Sequence, residues 1–130
     1  MDKILKNQYD QIIKQLVILQ DCATMNYFPY TSLGDTYIQR HLQTIEFCVD
    51  GIKSIESDEA RKVKLKVLQI EARNFRLGEK TPSKVNRKQL TTMLEDWSSK
   101  WCDILESQFQ FGTTIEARQE LGPISQIAHT

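Results

Sequence analysis

Histidine, cysteine, proline and glycine are all scarce in this chain of 130 residues, and no long apolar run occurs in it. With His41 and His129 as the only histidines, no pair stands at zinc-ligand spacing and no Glu-x-x-His of the di-iron bundle type is present. Neither a metal nor a cofactor is therefore expected. Cys22, Cys48 and Cys102 are odd in number and far apart, which argues against a disulfide framework and fits a reducing compartment. Each reads as a small buried hydrophobe. No stretch approaches the roughly 18 apolar residues that cross a bilayer, so no membrane partner is expected. Residues 1–14 alternate charge and hydrophobe at helical spacing, unlike a secretory signal, and cytoplasmic residence is the resulting expectation.

What is present is helical periodicity. The hydrophobic fraction of 40% and charged fraction of 26% suit one globular domain. At this length folding buries roughly two-thirds of the unfolded chain's surface. A first helix is predicted over 3–23, with Leu5, Tyr9, Ile12, Leu16 and Leu19 in alternating steps of four and three, widened by Ile13 and Val17. A second, over 35–56, repeats the pattern with Ile38, Leu42, Ile45, Val49, Ile52 and Ile55. A third spans 57–77, with Ser57 as its cap and Gly78 as its stop. A fourth begins near Asn86, where Gln89 completes a capping box, or a few residues earlier after Thr81-Pro82, and carries Leu90, Leu94, Trp97, Trp101, Ile104 and Leu105 inward. Thr113 with Glu116 opens a short fifth helix that ends at Gly122 and Pro123. These elements predict an all-α fold: an antiparallel four-helix bundle, up-down-up-down, with a short fifth C-terminal helix. An irregular array of the same helices is the alternative. Residues 1–123 form the domain and 124–130 a tail.

Charge is distributed unevenly around a formal net of zero. Residues 61–88 hold ten basic side chains against Glu71 and Glu79, a net of +8, while the segments on either side each carry −4. Along the third helix, Lys62, Lys66, Gln69, Arg73 and Arg76 follow one another in steps of four and three, a stripe without a carboxylate. The apolar residues Val63, Leu65, Val67, Leu68, Ile70, Ala72, Phe75 and Leu77 cover well over half of the circumference, which predicts burial on more than one side. Glu71 and Lys64 fall inside that apolar arc.

Two candidate binding regions follow. One is the basic face formed by Lys62, Lys66, Arg73, Arg76, Lys80, Lys84, Arg87 and Lys88. The other is an aromatic loop containing Tyr27, Phe28 and Tyr30, read either as a lid over the core or as a contact surface. In an up-down bundle the two lie at the same end, and aromatic rings beside basic side chains suit phosphate-bearing partners.

No catalytic constellation emerges. His41 stands at the edge of the second helix's apolar stripe, where a partly buried, hydrogen-bonded ring is expected. A histidine phosphotransfer bundle has similar size and four helices, and His41 is placed where its histidine could sit. That family surrounds its histidine with small residues and has a lysine and a glycine shortly after it, a pattern that Arg40-His41-Leu42-Gln43-Thr44-Ile45 lacks. The reading is thus a non-catalytic helical interaction domain working through protein contacts, with self-association as its expected form. Binding of nucleic acid or another polyanion through the basic face is the alternative, and histidine phosphotransfer ranks third.

Overall fold

A computed structural model describes residues 3–24, 32–76 and 84–109 of the chain. All four long elements are helical: α1 (Lys3–Thr24), α2 (Ser32–Lys53), α3 (Glu59–Arg76) and α4 (Lys84–Ile104), the last continuing into a π-helical turn, Leu105–Phe109. No strand occurs among the described residues. No helix there is long and apolar enough to cross a membrane. The expected fifth helix and tail, and the aromatic loop with Tyr27, Phe28 and Tyr30, lie outside the described residues.

The α1 stripe forms the centre of the core. Leu5, Tyr9, Ile12, Ile13, Leu16, Val17 and Leu19 are all buried, as their spacing requires. Each of the larger aliphatic side chains contributes about 1.5–3 kcal/mol through removal from water. Helix α1 packs against both α2 and α4, and α2 packs against α3. From α2 come Leu42, Ile45, Val49 and Ile52, and from α4 come Leu94, Trp97, Trp101 and Cys102, with Leu105 just beyond.

Helix α2 stops three residues before its periodicity suggests. Ser54 Oγ donates to the Gly51 carbonyl at 2.7 Å, and the amides of Ile55 and Glu56 both donate to the Ile52 carbonyl, which closes the helix in a turn. That turn leaves Ile55 exposed, although it continues the stripe, and swings Glu56 inward. Helix α3 is capped by Asp58 and not by Ser57: Asp58 Oδ1 accepts the Arg61 amide at 3.1 Å, the bond expected of a cap to the third helical residue. Helix α4 starts at Lys84, two residues before Asn86, so Asn86 lies within the first turn and not at the cap.

Helix α3 differs most from expectation. Leu65, Leu68, Gln69 and Ala72 are its buried residues. Val63, Val67 and Ile70, which the sequence pattern places inside, are exposed. Full burial is confined to one arc of the helix. The inward arc is centred on Ala72 and includes a glutamine from the supposed basic stripe, because that edge of α3 faces polar partners on α2.

Candidate functional site

Helix α3 presents three differently constituted sides. Toward α2 it makes a polar seam. Gln69 Nε2 donates to the Glu46 carbonyl at 3.1 Å and to Asp50 Oδ1 at 2.7 Å, while its Oε1 accepts from Lys53 Nζ at 3.1 Å. Arg73 Nε donates to Glu46 Oε1 at 3.1 Å, and Arg76 reaches the same carboxylate through Nε at 2.5 Å and a terminal nitrogen at 3.3 Å. Burial would raise the Glu46 carboxyl, but the bonds and charges of Arg76 and Arg73 outweigh it and hold the group below the usual carboxylate range.

Toward α4 the seam is aromatic. Trp97 and Trp101, one turn apart, both donate their indole N–H to Glu71 Oε1, at 2.8 and 2.9 Å. Lys100 Nζ stands 3.6 Å from the same oxygen and 5.5 Å from the Trp101 ring centre, a cation–π distance. Phe75 tilts against Trp97 with ring centres 5.2 Å apart. Here too burial pushes the carboxyl up and is overcome, by the two indole bonds and by Lys100, so Glu71 stays ionised. Its place within the apolar arc is explained: it is the acceptor that lets two tryptophans be buried with their N–H groups satisfied.

At the start of α3 a third carboxylate, Glu56, ties three segments together. Its side chain has no solvent exposure. It accepts Tyr9 Oη at 2.7 Å, Arg61 Nε and a terminal nitrogen at 3.0 Å each, and the Asp58 amide at 3.0 Å. Burial raises the Glu56 carboxyl; the bonds from Arg61, the Asp58 amide and Tyr9 more than compensate. Burial and the neighbouring carboxylate push the Tyr9 phenol far up, so it remains a donor.

The outward side is what remains. Val63, Val67 and Ile70 are 64%, 43% and 46% exposed, in steps of four and three along one line. Lys66 lies exposed beside them, and Lys62 pairs with Glu59 at 3.3 Å. The basic stripe is thus divided: Arg73 and Arg76 serve the α2 seam, Lys62 has a local partner, and Lys66 faces outward. Lys84, Arg87 and Lys88 fall in the first turns of α4, their side chains outside the described residues, as is the whole of Lys80. The exposed apolar line was not read from the sequence, although its steps of four and three are visible there.

His41 on α2 is half-buried, with Nδ1–H donating to Gln15 Oε1 of α1. Burial, and secondarily the charge of Arg40, pushes its pKa down to about 4. The folded state therefore binds fewer protons than the unfolded chain between about pH 6.5 and pH 4. Stability contributed by neutral His41 is complete above that window and is lost as pH falls through it, by about 3 kcal/mol. His41→Gln should flatten the profile over this range while leaving the loss below pH 4.5, where Glu46, Glu56 and Glu71 protonate. Urea midpoints measured from pH 7 to pH 4 check this, and an unchanged slope in the variant would assign the titration elsewhere.

Among the described residues no group of three His, Cys, Asp or Glu side chains is placed to hold a metal ion. Cys48 and Cys102 take no part in a disulfide among those residues, and burial raises the Cys48 thiol. No protein-family model matches the chain, and comparison with curated proteins and with solved structures gives no match.

Proposed function

We propose that the chain is a non-catalytic helical interaction domain that works through protein contacts in the cytoplasm. The observation that carries this reading is the outward line of Val63, Val67 and Ile70 on a helix whose other sides are committed to its neighbours. Single exposed aliphatics are ordinary on a protein surface; three aligned on one helical face suit a protein contact. The frame proposed for that face is an antiparallel, up-down-up-down four-helix bundle with the short fifth helix appended. Supporting it, Gln15 meets His41 while the earlier Tyr9 meets the later Glu56, and Glu46 meets Arg76 while the later Glu56 meets the earlier Arg61. Both sets of contacts are those expected of neighbouring helices that run in opposite directions.

Self-association is the simplest form of such contact. Light scattering of the protein at low and high salt tests it, together with the variants Val67→Ser/Ile70→Ser and Lys62→Glu/Lys66→Glu. An oligomer that persists at high salt and is lost in the serine variant is the outcome expected of an apolar contact. Arg73 and Arg76 stay unmutated in this experiment, since reversing their charge beside Glu46 would break the α2 seam.

Polyanion binding is the second reading, favoured by exposed Lys66 and by the placement of Lys84, Arg87 and Lys88 in the first turns of α4. A complex with a single-stranded oligonucleotide that weakens steeply as salt rises, and that Lys62→Glu/Lys66→Glu abolishes, would replace the first reading with this one. Phosphotransfer through His41 ranks third, because a donor would have to reach a half-buried ring already bonded to Gln15.

A further inference from the structure

At 100° per residue Ala60, Val63, Val67, Ile70 and Asn74 of α3 fall within an arc of about 80°, and Val63 stands opposite Ala72, the centre of the buried arc. All of them are exposed. Their alternating steps of three and four put Ala60, Val67 and Asn74 at the a positions, and Val63 and Ile70 at the d positions, of about two heptads. On one flank Glu59 and Lys66 take g positions, and on the other Lys64 and Glu71 take e positions. Resting on the protein-contact reading, we propose that this face pairs with the same face of a second copy, the two α3 helices running parallel and in register about a two-fold axis.

Charge complementarity decides both the partner and its direction. In a parallel pair each g side chain faces the e side chain five residues further along the other helix. Glu59 then meets Lys64 of the other copy, and Lys66 meets Glu71. Two-fold symmetry makes each attraction occur twice. Glu59 pairs with Lys62 at 3.3 Å within its own helix, but its side chain is 83% exposed and such local surface pairs exchange readily. The two indoles and Lys100 reach Oε1 of Glu71; that side chain remains 32% exposed, and a carboxylate accepts at both oxygens. Arg73, the next g position, is held by Glu46 and takes no part.

Asn74 adds a second constraint. A lone asparagine at an a position meets its counterpart when the helices are parallel and in register, and it fixes the register and the dimeric state at some cost in affinity. Reversing one helix brings like flanks together. Lys66 then faces Lys66 or Arg73 of the other copy, and Asn74 loses its counterpart. A nucleic-acid backbone would answer Lys66 but meet Glu59 and Glu71 beside it and leave the valines and isoleucine in water. An anionic bilayer would meet the same carboxylates, and it calls for a broader apolar face.

Sedimentation velocity of the full-length protein over about a hundredfold range of concentration should show a monomer–dimer equilibrium. Val67→Ser/Ile70→Ser should weaken it by about a hundredfold or more, with an unchanged far-UV spectrum because both side chains are exposed in the single copy. Glu59→Lys and Lys64→Glu should each weaken dimerisation about tenfold, since each sets like charges together twice across the axis. Mixed with one another, these two variants should associate within about threefold of the wild type, because each supplies the charge the other lacks. Asn74→Cys reads the geometry without altering a charge. In oxidised glutathione it should close a disulfide between copies that the wild type does not form. In the parallel pair the two positions meet, whereas in an antiparallel pairing of Asn74 with Val63 they stand about 16 Å apart along the axis.

A protein that stays monomeric over the whole range, a mixture no better associated than its components, or an Asn74→Cys variant without the disulfide overturns the proposal. So does capture by phosphatidylglycerol vesicles, in place of a dimer, that the serine variant abolishes. If a dimer forms and the serine variant dissolves it, but the mixture and the disulfide both fail, the copies meet in another direction: the parallel pairing falls while the protein-contact reading stands. If the chain stays monomeric and binds a single-stranded oligonucleotide in a salt-sensitive way, both fall.

Discussion

Replacing Glu56 by alanine is expected to lower the free energy of unfolding by about 3–5 kcal/mol, the usual penalty for removing one member of a buried ion pair. Four donors converge on this carboxylate from α1, from the α2–α3 connection and from the first turn of α3. Its removal takes the acceptor away from the Tyr9 hydroxyl, in the middle of the core, and both oxygens away from the Arg61 guanidinium. Tyr9→Phe removes a single bond while keeping the ring, and should cost only about 1 kcal/mol. Glu56→Gln should fall between the two, because the amide keeps the volume but loses the charge-assisted fork. Urea unfolding followed by far-UV circular dichroism would measure all three. A Glu56→Ala loss as small as that of Tyr9→Phe would mean that solvent replaces the carboxylate, and that the knot is not what joins the end of α2 to α1.

Trp101→Ala is the second large effect, again about 3–5 kcal/mol for a buried tryptophan truncated to a methyl group. Two contributions combine: the volume of a nearly fully buried ring, and the indole bond to Glu71. Trp101→Phe separates them. It fills most of the space without the N–H donor, and should cost about 1–2 kcal/mol. Glu71→Ala deprives both indoles of their acceptor and should cost about 2–4 kcal/mol, one unsatisfied buried donor counting about 1–3 kcal/mol. Since Trp101 and Glu71 share one bond, the Trp101→Phe/Glu71→Ala pair should cost less than the sum of its parts. Strict additivity in thermal or urea unfolding would show that the bond contributes nothing beyond ring packing.

The sequence made the inner faces of α1, α2 and α4 legible because each carries its apolar residues on one stripe whose width matches what its neighbours cover. Trp97 and Trp101 were readable as a core ridge for the same reason. Helix α3 was not legible in this way. Apolar residues occupy so much of its circumference that periodicity alone does not say which part faces in, and the deciding interactions are between distant residues. Glu46 is separated from Arg76 by 30 positions and Glu71 from Trp101 by 30, so no local spacing announces either pair. One clue is present: a lone glutamate within an apolar arc needs a donor, and the indoles of Trp97 and Trp101 are donors that a core ridge brings inward. The end of α2 is not legible in the sequence, because Ile55 continues the stripe while Glu56, just beyond it, finds its partners in Tyr9 and Arg61. As for the candidate site, the basic residues of α3 were identifiable, but their division between seam and surface depends on where Glu46 lies in space.

The convergence of Trp97 and Trp101 on Glu71 also determines what light can report about this molecule. They are the only two tryptophans in the chain, so almost all intrinsic emission above the tyrosine band originates at the boundary between α3 and α4. An emission change on adding denaturant or a partner therefore registers events at that boundary, whereas circular dichroism averages over every helix. Coincidence of the two signals would make α3 part of a single cooperative unit with the other helices, and an earlier change in emission would make it the piece that moves first.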